Sequence, residues 1–378
     1  MYNIHSHYEN ILAFARTIIA QPRVVYLHPF GSTQPENLES LNIGGYGSLL
    51  FCYDQEPLLP NYNKKLFDTV AQFKDDSGQP RPTILLNTEK SSQFKNQLLK
   101  QYNFTDCSYF FHAFAAADWY RGYQYCAELI DPSKRTIQKK YITFNRITGG
   151  ARAYRSFLVA ELARNNILDQ GYVSYSDVCP EHGHYEQNIL ATHSERGVAA
   201  DYIIHARYAL DRIQYPLRID NEGTIPNGSQ TLGPIHELVT SFLHVVTETC
   251  YWDDKTHLTE KIFKPIVARQ PFVLLGCANN LKYLRSYGFK TFDAWWDEGY
   301  DSIEDPIPRL QAVVKIINKI CSMSNDDLTA MLRAMQHVLD YNYHRFYSRE
   351  FVDYCWRELT ENLEQALAQL PPRTALET

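Results

Sequence analysis

Short apolar runs that end in polar or ionisable residues recur along the chain, separated by helix-compatible stretches. The clearest instance is residues 244–276. An apolar β-type run (243–246) ends in Thr247-Glu248-Thr249, a polar loop follows, a helix-compatible segment opens near Thr259, and a second apolar run (272–275) ends at Gly276. Parallel strands need such a crossover between them. Thr259 suits an N-cap, Glu260 and Lys261 fall in the first turn, and Ile262, Phe263, Ile266 and Val267 are spaced for one buried helix face. Ligands of open α/β sheets sit at the carboxyl ends of the strands, where this register would bring Glu248, Glu260 and Gly276.

The same alternation organises both halves of the chain. In the first, strands are expected at 23–30, 48–53, 83–87 and 108–111, and helices at 64–72 and 91–102. The strand ends carry Asp54-Gln55-Glu56-Pro57, Thr88-Glu89-Lys90 and His112. In the second half, 140–144 reads as a strand followed by a Gly149-Gly150 turn, 154–165 as an amphipathic helix, and 172–175 as a strand. Residues 178–200 read as an irregular insertion and 215–234 as a loop-rich segment. After the central stretch come a helix at 280–286, a short strand around 290–292, and terminal helices at 307–321, 325–343 and 350–370, the middle one with Asp326 and Asp327 at its positive dipole end. Residues 128–139 are polar, contain proline, and make the best linker. The expected organisation is an α/β protein with an N-terminal domain over 1–135, a second over 136–345, and a final helical segment, 346–378, that crosses back to the first.

Composition narrows the class without changing this frame. With 378 residues, 44% of them hydrophobic, the chain is long enough for two ordinary domains. No run approaches the ~20 apolar residues of a membrane helix, and the start has neither a basic stretch nor an apolar core, so a cytoplasmic protein is expected. The 8 cysteines lack CxxC spacing and read as reduced core residues rather than a disulfide frame or zinc site. A formal charge of -6 argues mildly against a general nucleic-acid coat.

Candidate chemistry follows from the strand ends. A nucleoside diphosphate needs cations for its phosphates and a carboxylate for its ribose hydroxyls. Glu260 and Lys261 supply one of each, and Arg146, Arg152 and Arg155 surround the glycine turn of the same half. A single Arg or Lys at a loop edge is more often a solvated charge, but their concentration beside Thr259-Glu260-Lys261 favours a ligand site. Asp253-Asp254 resembles a metal-binding acid pair, yet a solvated loop is the commoner role of such a pair, and no metal is expected. Trp119, Trp295 and Trp296 could stack on a sugar or base, although aromatic core packing is more common.

Leu258-Thr259-Glu260-Lys261-Ile262-Phe263, followed by Gln270-Pro271-Phe272-Val273-Leu274-Leu275-Gly276, resembles the donor-binding segment of alpha-1,3-fucosyltransferases. It is also similar to phage and bacterial proteins classed as glycosyltransferases, whose pattern extends over Asn145-Arg146, Val173-Ser174-Tyr175-Ser176 and residues 289–296. The resemblance covers roughly the second half of the chain. It implies a GT-B architecture of two Rossmann-like domains facing a cleft, the C-terminal one binding a nucleotide-diphosphate sugar and the N-terminal one the acceptor. It gives Glu260 the ribose, Lys261 the diphosphate and Arg155 a phosphate, with no required metal; Asn145, Glu248 and Thr259, at the strand ends and helix start of the same half, join them as donor-site candidates, and no cofactor is expected.

Transfer with inversion needs a carboxylate that takes the acceptor's proton. At the strand ends of the acceptor half, Glu56 and Asp54 fit best and Glu89 is next; a turn whose acids cap a helix or face water would explain them nearly as well. His112, Asp118 and Arg121 form a second polar cluster, counted here as acceptor-cleft candidates. The acceptor would be a carbohydrate or glycolipid, or alternatively modified DNA as with some phage transferases. A non-catalytic nucleotide-binding protein of the same fold is the remaining reading.

Overall fold

The computed structural model describes residues 3–19, 22–26, 48–58, 64–74, 78–219 and 230–370. The end of the strand expected at 23–30, the loop after it, and residues 220–229 of the loop-rich segment lie outside the described residues. The chain forms two compact units, residues 1–118 with 349–378, and residues 119–348.

The first unit is built on a sheet of 4 parallel strands in sequential order. It opens with α1 (His7–Arg16) and β1 (Pro22–Tyr26), then β2 (Ser48–Cys52), α2 (Lys64–Ala71), β3 (Thr83–Asn87), α3 (Gln93–Tyr102), β4 (Thr105–Ser108) and α4 (Phe111–Trp119). β3 is buried at every position, as a central parallel strand covered on both faces should be. Phe51, Tyr53, Phe67 and Phe104 form an aromatic core, Phe51 and Phe67 edge to face at 5.5 Å. Ser92 caps α3 by accepting from the Lys95 N–H at 2.9 Å, and Asn103 ends it in the left-handed region. The fourth strand lies three residues before its expected place, and 111 opens a helix instead. The C-terminal helix Arg349–Ala368 belongs to this unit: the Asn362 amide donates to the Ser108 carbonyl at 2.6 Å, and Glu358 pairs with Lys90 at 2.6 Å.

The second unit starts with α5 (Ala127–Ile130) and β5 (Lys139–Phe144). The stretch 128–139, whose composition suggests a linker, is held within this unit by Arg135, which donates to the carbonyls of Ala268 (2.6 Å) and Arg269 (3.1 Å). Next come α6 (Tyr154–Arg164), β6 (Gly171–Ser174), a hairpin of β7 (Val178–Cys179) and β8 (Gly183–His184), α7 (Tyr185–Arg196) and α8 (Ala200–Leu210). The expected irregular insertion is therefore mostly regular, its first helix capped by the His184 ring accepting from the Glu186 N–H at 3.3 Å. Then follow α9 (Ile235–Val239), β9 (Ser241–Thr247), a 3-10 turn at Glu260–Ile262 continuing into α10 (Phe263–Val267), β10 (Phe272–Leu275), α11 (Asn280–Ser286), α12 (Pro306–Cys321) and α13 (Asn325–Tyr347). The strand expected around 290–292 does not form. Its backbone N–H groups are taken by side chains instead, Lys290 by Asn342 at 2.8 Å and Phe292 by Glu298 at 2.7 Å. α6 is buried from Tyr154 to Leu162 rather than amphipathic.

All pairings in the main sheet of this unit are parallel, in the order β10-β9-β5-β6. After β5 the chain adds β6 on one side, then crosses to place β9 and β10 on the other. The order reverses between β5 and β9, which makes their carboxyl ends a topological switch point.

Candidate functional site

The loops leaving β5 and β9 diverge at that switch point, and buried side chains hold them in place. Thr247 donates from its hydroxyl to the Phe144 carbonyl at 2.9 Å. Arg155 is 3% exposed and donates to the carbonyls of Ile147 (2.9 Å), Thr247 (2.7 Å) and Glu248 (3.2 Å). Burial lowers its basicity. The guanidinium expected to meet a phosphate therefore staples the two loop starts together. Tyr154 adds a bond from its hydroxyl to the Glu248 carbonyl at 2.6 Å. The glycine turn is shaped by contact: a Cβ on Gly149 would stand 2.3 Å from Cβ of His182, and Gly150 has φ +56°.

On the β9 side, the Glu248 carboxylate is fully buried and accepts from the Thr259 hydroxyl (2.6 Å), the Thr259 N–H (3.2 Å) and the Thr249 N–H (3.3 Å). Thr259 in turn faces the Lys261 N–H at the start of the turn, as its N-cap role requires. The Lys261 ammonium lies 3.0 Å from the Glu260 carboxylate and 3.2 Å from the Thr259 hydroxyl. Thr259, Glu260 and Lys261 are thus brought together with Glu248. The loop between them is clamped by Asn280, which exchanges bonds with the His257 backbone at 3.1 and 3.0 Å, and by buried Arg309, which donates to the carbonyls of Gly276, Ile303, Glu304 and Tyr251.

The β5 side carries unpaired polar atoms at its start, where the β9 side has Trp252 Nε1 farther along its loop. Among the described residues, Asn145 Oδ1, Thr148 Oγ1 and Arg155 Nε are buried without a hydrogen-bond partner, although Asn145 is fully buried and Thr148 is 1% exposed. Buried polar groups are almost always paired, so two orphans on one loop with a third at the start of the next helix mark a place where a polar ligand fits. Arg146 is exposed, and Arg152 lies close enough to Arg155 to disfavour its charge further. Lys264, one turn beyond Glu260, was not singled out by the sequence, although its i,i+4 spacing from Glu260 is a readable signal. Its ammonium lies over the Phe144 ring, 5.8 Å from the centroid. Asp253 pairs with Arg196 at 3.0 Å, and among the described residues no His, Cys, Asp or Glu cluster is arranged to hold a metal ion.

At the strand ends of the first unit, Asp54 is 1% exposed and bonded by the hydroxyls of Tyr8 (2.8 Å) and Tyr109, which in turn meets His7 Nε2 at 2.9 Å. Burial pushes its carboxyl up to about 6, against the opposing pull of the tyrosine hydroxyls, and burial pushes His7 down to about 3. The buried Glu89 carboxylate accepts from the Leu58 N–H at 3.3 Å and from the Ser92 hydroxyl, tying the loop after β2 to the start of α3. Glu56 is half-buried. His112 is 5% exposed and adds a favourable charge interaction at Asp54; Asp118 is half-buried and Arg121, in the second unit, is exposed. Tyr8, Tyr109 and His7 carried no motif in the sequence.

No helix among the described residues is long and apolar enough to cross a membrane. No protein-family model matches the chain, and no curated protein matches it. Among solved structures, a glycosyltransferase from Rickettsia africae ESF-5 aligns at 12% identity over 96% of this chain and 81% of that one, with a TM-score of 0.36. The Candida albicans trehalose-6-phosphate phosphatase N-terminal domain aligns at 9% identity over 93% and 73%, with a TM-score of 0.38. Similarity at this level carries no functional assignment, which falls to the residues of the strand edges.

Proposed function

We propose that the second unit binds a nucleotide-diphosphate sugar at its switch point, and that the protein transfers the sugar to an acceptor hydroxyl as an inverting, metal-independent glycosyltransferase of GT-B type. The observation that carries this reading is the orphaned polar set of Asn145 and Thr148 at the carboxyl end of β5, with Glu260 and Lys261 after β9. Glu260 accepts the ribose hydroxyls and Lys261 meets the diphosphate, as in the fucosyltransferase-like segment. Arg146 and Arg152 add positive charge near the leaving group, while Arg155 positions the loops.

As the acceptor oxygen attacks the anomeric carbon, the bond to the diphosphate breaks and the acceptor's proton passes to a carboxylate. Glu56 is assigned that role because its half-buried side chain is open to an incoming acceptor, whereas Asp54 and Glu89 are buried. The test is a set of variants. Lys261→Ala should weaken nucleotide-diphosphate binding about tenfold or more, and Glu260→Gln should weaken binding of ribonucleotides more than of deoxyribonucleotides. Glu56→Gln should cut turnover while leaving donor affinity nearly intact. Parent-like donor binding by both donor-site variants would move the site elsewhere.

A further inference from the structure

We propose that Lys264 carries part of the diphosphate-binding charge at the carboxyl end of β5 and takes up a proton when the ligand binds at alkaline pH. The inference rests on the nucleotide-site reading above and deepens it by adding a residue that neither the motif nor the resemblance marks.

Position is the first ground. Phe144 is the last residue of β5, and the Lys264 ammonium lies over its ring at 5.8 Å, so the charge stands at the switch point. Pairing is the second. Among the described residues no hydrogen bond or ion pair is made by this ammonium, which lies against the ring face and feels Glu260 through its charge, whereas Lys261 holds Glu260 directly at 3.0 Å. Among the described residues, the charged and titratable groups that face Lys264 are Glu260 and Lys261 from its own segment and His244 from β9, and β5 presents the Phe144 ring. His244 is held near 3 by burial and stays neutral at physiological pH.

An ammonium in this setting is poised to lose its proton. Lys264 is half-buried, and burial lowers it to about 8, with Glu260 pulling upward and Lys261 pushing downward. The diphosphate of a nucleotide sugar is negatively charged on both phosphates throughout this pH range. Placed beside the ammonium, it favours the protonated form and raises the lysine's pKa, so ligand and proton bind together. The sign follows: affinity is full below about pH 8 and falls as pH rises through the free protein's value.

The experiment is calorimetric titration of the full chain with UDP-glucose and with GDP-fucose at about pH 7 and about pH 9. The parent should lose about tenfold in affinity across that interval, one pKa unit being a factor of ten. Lys264→Arg keeps its charge throughout and should hold parent affinity at the lower pH with little slope. Lys264→Met should bind weakly at both. A flat parent profile, or an arginine variant that keeps the slope, overturns the proposal while donor binding itself stands. If neither sugar nucleotide binds the parent at either pH, the site reading fails and this inference with it. Should the methionine variant not fold, the parent slope and the arginine variant decide.

Discussion

The two loops that leave the switch point of the second unit begin side by side and differ in how they use their polar groups. The loop after β9 is held mainly by its own bonds, although Trp252 Nε1 on it is buried without a partner among the described residues: Glu248 accepts from Thr259 and Thr249, Asn280 brackets His257, and Arg309 satisfies the carbonyls of Gly276, Tyr251, Ile303 and Glu304. The loop after β5 leaves Asn145 Oδ1 and Thr148 Oγ1 buried and unpaired among the described residues, and Arg155 at the start of α6 adds its Nε. An unpaired buried polar group costs about 1–3 kcal/mol, so a loop that keeps several is held for something other than stability. One loop is scaffold and the other is receptive.

The largest expected effect tests the scaffold. Arg309→Met removes a buried guanidinium and strands the carbonyls it serves, and should cost about 4 kcal/mol in urea denaturation. A loss under about 1 kcal/mol would mean that the loop after β9 does not depend on its bonding, and the contrast would collapse.

A somewhat smaller effect sets Glu248 against Asp54, its counterpart at the strand ends of the first unit. Backbone N–H groups and a hydroxyl meet Glu248, whereas two tyrosine hydroxyls meet Asp54. The Asp54 carboxyl is raised from 3.8 to about 6, so the folded state binds its proton more tightly than the unfolded chain does. Stability should therefore fall as pH rises from about 4 to about 6, by roughly 3 kcal/mol at most, and stay level above that window. Asp54→Asn should flatten this part of the profile. A difference between parent and variant that is the same at pH 4 and pH 7 would show that burial does not strain this carboxylate.

The smallest expected effect on stability belongs to the receptive loop. Asn145→Ala gives up a weak 3.4 Å contact to Thr143 and removes an orphaned oxygen, so it should cost less than about 1 kcal/mol. Its loss should appear in donor affinity instead, about tenfold, or about 1.4 kcal/mol. The reverse pattern, a destabilised protein with unchanged affinity, would make Asn145 part of the scaffold.

Much of the fold was legible where burial is two-sided. β3 and β10 stand where continuous apolar runs place them, because a covered parallel strand needs apolar residues at every position. β4 was misplaced because Thr105-Asp106-Cys107-Ser108 has no such run: it sits at the edge of its sheet, and the aromatic residues that follow it open a helix. α7 was hidden by its many polar residues, and 290–292 looked like a strand because side-chain acceptors had yet to be seen. At the site, Glu260 and Lys261 were readable as a motif. That Arg155 faces carbonyls, or that Asp54 meets Tyr8 from a distant helix, depends on three-dimensional neighbours that spacing along the chain does not encode.

The C-terminal helix Arg349–Ala368 closes the first unit from the far end of the chain, with Phe351, Cys355, Leu359 and Leu363 buried along one side. A ribosome makes the chain from the amino terminus, so residues 119–348 are complete while the first unit still lacks a wall. Unit two can close during synthesis; unit one must wait for the helix Arg349–Ala368. Until they emerge, the surface around Ser108 and Phe114 that Asn362 and Trp356 cover stays open. A nascent chain stalled short of residue 349 should therefore be the form of this protein most drawn to chaperones.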